Sequence, residues 1–140
     1  MLLHIVARGR IGRGPEAELV DRYLKRVSWP TRITELPDQG GRTPDAPPAC
    51  RTIVLDETGE DMPSRAFAEK LGRWRDEGVR EARFLIGATD GHDAATRAGA
   101  DLALSFGRAT WPHLLARAML AEQLWRATSI LAGHPYHREG

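Results

Sequence analysis

Short apolar runs of strand length alternate along this chain with stretches whose apolar residues recur at helical spacing, and no other feature narrows the possible folds as much. Leu2 to Ala7 reads as a buried strand, followed by a Gly/Arg loop over residues 9–14. Pro15 opens a helix carrying Leu19, Val20, Tyr23, Leu24 and Val27, and Trp29-Pro30 stops it. Thr31 to Leu36 alternates as a second strand. Residues 37–49 are rich in proline and glycine and form a loop. Thr52 to Leu55 is a short strand ending at Asp56, and Glu57 to Met62 reads as a turn. A helix from Pro63-Ser64 carries Phe67, Leu71 and Trp74 and ends near Gly78. Arg83 to Ile86 is the next strand, closed by Gly87, with a turn at Asp90-Gly91-His92 and a short helix over Ala94 to Ala98. Leu102 to Leu104 is the last strand, and Pro112 begins the longest helix, with Leu115, Met119, Leu120, Gln123, Leu124 and Ala127 along one side. Gly133 ends that helix.

Strands alternating with helices predict one α/β domain, residues 1–140, with a mainly parallel sheet flanked by helices. Ligands of such sheets bind beyond the carboxyl ends of the strands. That rule selects Leu55-Asp56, Ile86-Gly87 and the loop 105–111. Gly87 either lets the backbone approach a flat ligand or is a plain turn glycine. The run after it has neither the glycine spacing of a dinucleotide fingerprint nor the Gly-Lys-Ser/Thr of a phosphate loop. Ser105 to Pro112 mixes small, polar and aromatic residues before a long helix, and suits either an adenine-wrapping loop or a structural one. Asp56 and Glu57, adjacent on an extended chain, point to different sides and give little support to a paired-carboxylate hydrolase.

The tail His134-Pro135-Tyr136-His137-Arg138 gathers a proton-exchanging group, a stacking ring and a phosphate-binding cation in five residues, or is an inert end. His113 reads as a capping or packing residue and His4 as structural. Two histidines are too few for a zinc site, and the single cysteine, Cys50, excludes an internal disulfide and a cysteine-based metal site. No metal is expected. No apolar run approaches the roughly 18 residues that span a bilayer. The N-terminus lacks a basic leader, so a cytoplasmic protein without a membrane partner is expected. The net charge of +1 is divided unevenly, with basic ends around an acidic middle. If the ends meet they form a phosphate-holding patch; otherwise they are solvated faces.

Beyond these readings, the chain resembles the RlmH family of ribosomal RNA methyltransferases, of the SPOUT class. The likeness lies in Ile53 to Gly59, in Phe84-Leu85-Ile86-Gly87 with Asp90-Gly91-His92, and above all in Leu102 to His113, Ala121 to Ala127 and His134 to Arg138. It departs in having Ala88 where the family has a second glycine, Trp125 where tyrosine is frequent, and a shorter loop from Pro37 to Ala49. The resemblance implies a C-terminal trefoil knot holding S-adenosyl-L-methionine. By position, the cofactor contacts are Leu55, Gly87, Phe106, Gly107, Arg108, Ala109, Thr110 and Trp111. It also implies a homodimer in which one subunit's tail completes the partner's site. The implied reaction is methylation at N3 of a pseudouridine, position 1915 of 23S rRNA, on the ribosome. For that reaction His137 is expected to assist loss of the N3 proton, Tyr136 to place the base and Arg138 to hold a phosphate. The competing readings are a SPOUT enzyme with another RNA target, an inactive ribosome-binding homologue, and a generic small-molecule α/β enzyme.

Overall fold

The structure, a computed structural model, describes residues 1–87 and 92–138. Its element order is β1 (Leu2–Arg8), α1 (Pro15–Leu24), β2 (Thr31–Leu36), β3 (Cys50–Asp61), α2 (Ser64–Asp76), β4 (Glu81–Ile86), α3 (Ala94–Ala98), β5 (Leu102–Ser105) and α4 (His113–Leu131). The five strands form one parallel sheet in the order β2-β1-β4-β3-β5. This is the α/β architecture that the alternation predicts. Ala88, and Asp90-Gly91 of the turn read at Asp90-Gly91-His92, lie outside the described residues.

One row of side chains crosses the whole sheet: Ile33, Ile5, Phe84, Ile53 and Leu102 stand in register on consecutive strands. All but the edge residue Ile33 are buried. Phe67, Leu71 and Trp74 of α2 and Leu120, Leu124 and Ala127 of α4 close over this face. Each such side chain removed from water contributes about 1.5–3 kcal/mol before chain entropy is subtracted. α1 packs on α4 through Val20, Ala118 and Ala121.

The opposite face is half polar. Val6, Leu85 and Val54 form a small apolar cluster, and the next row carries His4 beside Arg83. Glu81 Oε2 accepts from Arg83 Nε at 2.8 Å and lies 3.1 Å from His4 Nδ1. Arg83 Nη1 also donates to Pro44 O at 2.7 Å, which fastens the Pro-rich loop over this end of the sheet. His4 is thus structural, as the sequence suggests.

Two expectations are corrected. Residues 57–62 are not a simple turn, because β3 runs on to Asp61. Leu55 and Glu60 both pair with Leu104 of β5, so residues 56–59 loop out while the strand resumes beyond them. Hydropathy hides this, since the resumed strand is acidic and exposed. The apolar side of α4 also differs from the expected stripe. Arg117, Ala118, Ala121, Thr128 and Ser129 are buried with Leu120, Leu124 and Ala127, whereas Leu115 and Met119 are only half-buried. α4 has neighbours on two sides, α1 and α2, and small residues are what two close approaches require. Gly133 ends α4 in the left-handed region (φ 73°), with His134 N donating back to Ser129 O at 2.8 Å.

Gly59, where β3 resumes, presses against β5: a Cβ there would meet the Ala103 carbonyl carbon and oxygen at 2.6 Å. Backbone atoms of a paired strand cannot step aside cheaply. Gly59→Ala is therefore expected to lower stability by about 1–3 kcal/mol, read as a shift of the urea midpoint at unchanged slope.

Candidate functional site

A cavity of about 340 Å³ opens at the carboxyl ends of β3, β4 and β5. This is where a parallel sheet places its ligands, and the size suits a nucleoside-scale molecule. Leu55, Leu104 and Ile86 supply its apolar floor. The looped-out segment supplies one wall, with Asp56, Glu57 and Thr58. The loop after β5 supplies another, with Phe106 and Trp111.

Hydrogen bonds tie the two walls together. Thr110 Oγ1 donates to Glu57 Oε2 at 2.6 Å. The Ser105 hydroxyl donates to Gly107 O at 2.7 Å, accepts from Gly107 N at 3.0 Å, and has Glu57 O as a further acceptor at 3.2 Å. Gly107 adopts φ 107°, a conformation side chains rarely tolerate. Trp111 Nε1 donates to Phe106 O at 3.3 Å, which orients an indole that is still 43% exposed. A large ring held edge-fixed at a cavity mouth is a ready stacking surface.

Electrostatically the wall is acidic. Thr58 N and Oγ1 both donate to Asp56 Oδ1, at 2.9 and 2.7 Å, and hold the Asp56 carboxyl below its ordinary range. Arg97 stands 3.5 Å from Asp56 Oδ2. His92 donates from Nε2 to Leu85 O at 3.0 Å, and burial lowers its pKa, which favours the neutral form of the ring that lines the cavity. Asp56 and Glu57 both line the cavity, with different partners: Thr58 and Arg97 for Asp56, Thr110 for Glu57.

Of the expected cofactor contacts, Leu55, Gly87, Phe106 and Gly107 line the cavity, as do Ala109, Thr110 and Trp111. Arg108 is exposed and is not among the lining residues. Ala88 lies outside the described residues. The sequence reading missed Thr58, Arg97, Ala116 and the ligand-facing place of His113. Only the adjacency of Asp56 and Glu57 at a strand end signalled that wall.

The tail residues lie elsewhere in the same chain. The Tyr136 ring stacks on Trp125 of α4 at 3.6 Å, and its hydroxyl donates to Glu122 Oε1 at 2.9 Å. Arg126 Nη1 donates to His137 Nδ1 at 3.0 Å. Arg138 is exposed. The cavity meets α4 at His113 and Ala116, whereas the tail meets it at Glu122 to Arg126. At the α-helical rise these places are roughly 10–15 Å apart. The basic ends do meet: Arg26, just after α1, lies 4.8 Å over the Trp125 ring, beside Arg126 and the tail. Among the described residues no three His, Cys, Asp or Glu side chains gather as a metal site, and no helix is long and apolar enough to cross a membrane.

A parallel sheet with an acidic, aromatic-walled cavity at its strand ends is the arrangement in which α/β proteins hold small ligands. A family model described as Predicted SPOUT methyltransferase matches residues 1–137, and the chain belongs to that family. It is 76% identical to the Ribosomal RNA large subunit methyltransferase H of Rhizorhabdus wittichii, with all of both chains covered. It is 71% identical to the protein of the same name from Sphingopyxis alaskensis, over all of this chain and 99% of that one. Against the namesake from Novosphingobium aromaticivorans the identity is 68%, again over both full lengths.

The His92 environment sets an acid limit. The folded state resists protonating this ring, while the unfolded chain takes up a proton near the ordinary value of 6.5. Stability is therefore expected to fall as pH drops below about 6.5, and His92→Gln is expected to flatten that slope in calorimetry between roughly pH 5 and 8.

Proposed function

We propose that this protein transfers a methyl group from S-adenosyl-L-methionine to large-subunit ribosomal RNA, at N3 of a pseudouridine of 23S rRNA on the ribosome, in the cytoplasm. The observation that carries this reading is the cavity: seven of the eight residues expected to contact the cofactor line one space at the strand ends. Full-length relatives named for large-subunit ribosomal RNA methylation support the substrate class.

The residues present fit the cofactor. Phe106 and Trp111 offer apolar walls for an adenine, and the carboxylates of Asp56 and Glu57 offer acceptors for ribose hydroxyls and a counter-charge for a sulfonium. When bound, the cofactor supplies an electrophilic methyl group. The chain's own part is positioning: the Ser105 and Thr110 bonds hold the two walls at a fixed spacing, so a ligand between them has one orientation.

Tyr136 is proposed to place the target base, His137 to meet it at its N3 edge, and Arg138 to hold a phosphate. Within one chain these side chains are held along α4, away from the cavity. That separation supports a homodimer in which each tail serves the partner's cavity. The same family reading carries with it a C-terminal half threaded through a trefoil knot.

The test is tritium transfer from labelled S-adenosyl-L-methionine to ribosomes that lack this modification, with a parallel set lacking the pseudouridine. Label on that one nucleotide, and only when pseudouridine is present, is the expected result. Cofactor binding without label would point to another RNA target, and no binding would favour an inactive ribosome-binding protein. Trp111→Ala is expected to weaken cofactor binding on the order of tenfold in calorimetric titration, about 1–2 kcal/mol of lost stacking.

A further inference from the structure

The contact between Arg126 and His137 fixes more than the position of the tail. A guanidinium has N–H donors and no acceptor. Arg126 Nη1 lies 3.0 Å from His137 Nδ1, so Nδ1 accepts and carries a lone pair. In a neutral imidazole the proton then resides on Nε2.

The arrangement is braced. Glu122 Oε1 accepts from Arg126 Nε at 2.9 Å and from Arg126 Nη2, so the guanidinium cannot swing away from the tail. The same oxygen accepts from the Tyr136 hydroxyl, and Gln123 Nε2 donates to Glu122 Oε2 at 2.9 Å. Tyr136 stacks on Trp125, which stacks in turn on Tyr23 of α1 at 5.7 Å. Among the described residues, the charged and titratable groups around His137 include Glu122 and Arg126 from α4, Tyr136 beside it, Tyr23 from α1, and Arg26 just after α1, behind Trp125.

We propose that Arg126 is a positioning residue that holds His137 as its Nε2–H tautomer, so that His137 acts as a hydrogen-bond donor to a pyrimidine carbonyl beside the accepting nitrogen, not as the base that removes its proton. This refines the role expected for His137 and rests on the substrate reading above. N3 of a uracil ring lies between two carbonyls. As its proton passes to a water molecule, the charge left behind spreads onto those oxygens, where an N–H donor stabilises it. A base at this position would need the Nε2 lone pair, which this tautomer does not have.

Two measurements on the full-length protein test this. In the first, the ring nitrogens of 15N-histidine-labelled protein are observed by long-range 1H–15N spectra, with His137 assigned by its loss in His137→Gln. Nδ1 is expected unprotonated and Nε2 protonated. Arg126→Lys, which keeps a donor, retains that pattern; Arg126→Gln, whose amide also offers an acceptor, moves population toward Nδ1–H. The ring-current shift of Tyr136 over Trp125 reports separately whether the tail stays docked. In the second, methyl transfer to ribosomes is measured. His137→Gln keeps an N–H donor but no base and is expected to stay within about tenfold of the wild-type rate, whereas His137→Ala falls on the order of 10²-fold.

A wild-type ring protonated on Nδ1, or a His137→Gln variant as slow as His137→Ala, overturns the proposal. The two readings fail separately. Absence of transfer by a wild type showing the expected ring signals removes the ribosomal substrate and leaves the tautomer assignment. Full transfer with an inverted tautomer removes this inference alone.

Discussion

The interruption in the pairing of β3 with β5 is the constraint from which the site follows. A parallel strand that leaves its neighbour for four residues must satisfy their polar groups some other way. Here Thr58 donates to Asp56, Ser105 offers its hydroxyl to Glu57 O, and Thr110 donates to the Glu57 carboxylate. The same bonds that satisfy the excursion fasten it to the loop after β5. The cavity is the space the excursion encloses. Gly59 allows the strand to return, since its backbone lies where a side chain would strike β5.

Two buried arginines do comparable work for the other loops. Arg117, 1% exposed, crosses from α4 to donate to Glu35 of β2 at 2.6 Å and to the Gly9 carbonyl at 3.0 Å. Glu35 also accepts from Ile11 N, so one carboxylate holds both a helix and the Gly/Arg loop. Burial raises the Glu35 pKa, but its bonds to Arg117 and Ile11 outweigh that and leave it lowered. The same balance holds at Glu81, where burial opposes the bonds from His4 and Arg83 and loses. Both acids stabilise the fold above the ordinary carboxylate range, and their contribution fades as pH falls through their depressed values. Removing either arginine would leave a carboxylate partly buried without its partner, which costs more than the pair itself contributes.

Much of this was legible in the residues. β2 and α3 fall within the bounds that alternation and turn signals suggest, β3 runs well past its expected end, and the other strands and helices differ by a few residues at their ends. Hydropathy could not show β3 resuming at Glu60 and Asp61, because an exposed acidic segment looks like a turn unless its partner is known. Nor could it find Arg117, which interrupts an apolar helix and whose partners lie 82 and 108 positions away in the sequence. The order of the strands is likewise a property of register between distant segments, and local pattern is silent on it. The tail was conspicuous as a collection of chemical groups. That its histidine meets an arginine of α4 depends on how the chain turns at Gly133.

The topology also bears on how the cavity comes into being. Every strand pairing joins segments with a helix or a long loop between them, and β3 and β5 are separated by α2, β4 and α3. Contacts of that kind form late, because the chain entropy of closing the intervening loop must be lost before they give anything back. The walls at residues 56–58 and 106–111 have nothing to lean on until β5 is seated, so the ligand site and the final strand arrive together. A small molecule that occupies the cavity binds only the completed sheet. Its concentration in the cell then becomes one of the variables that set how long the native chain survives.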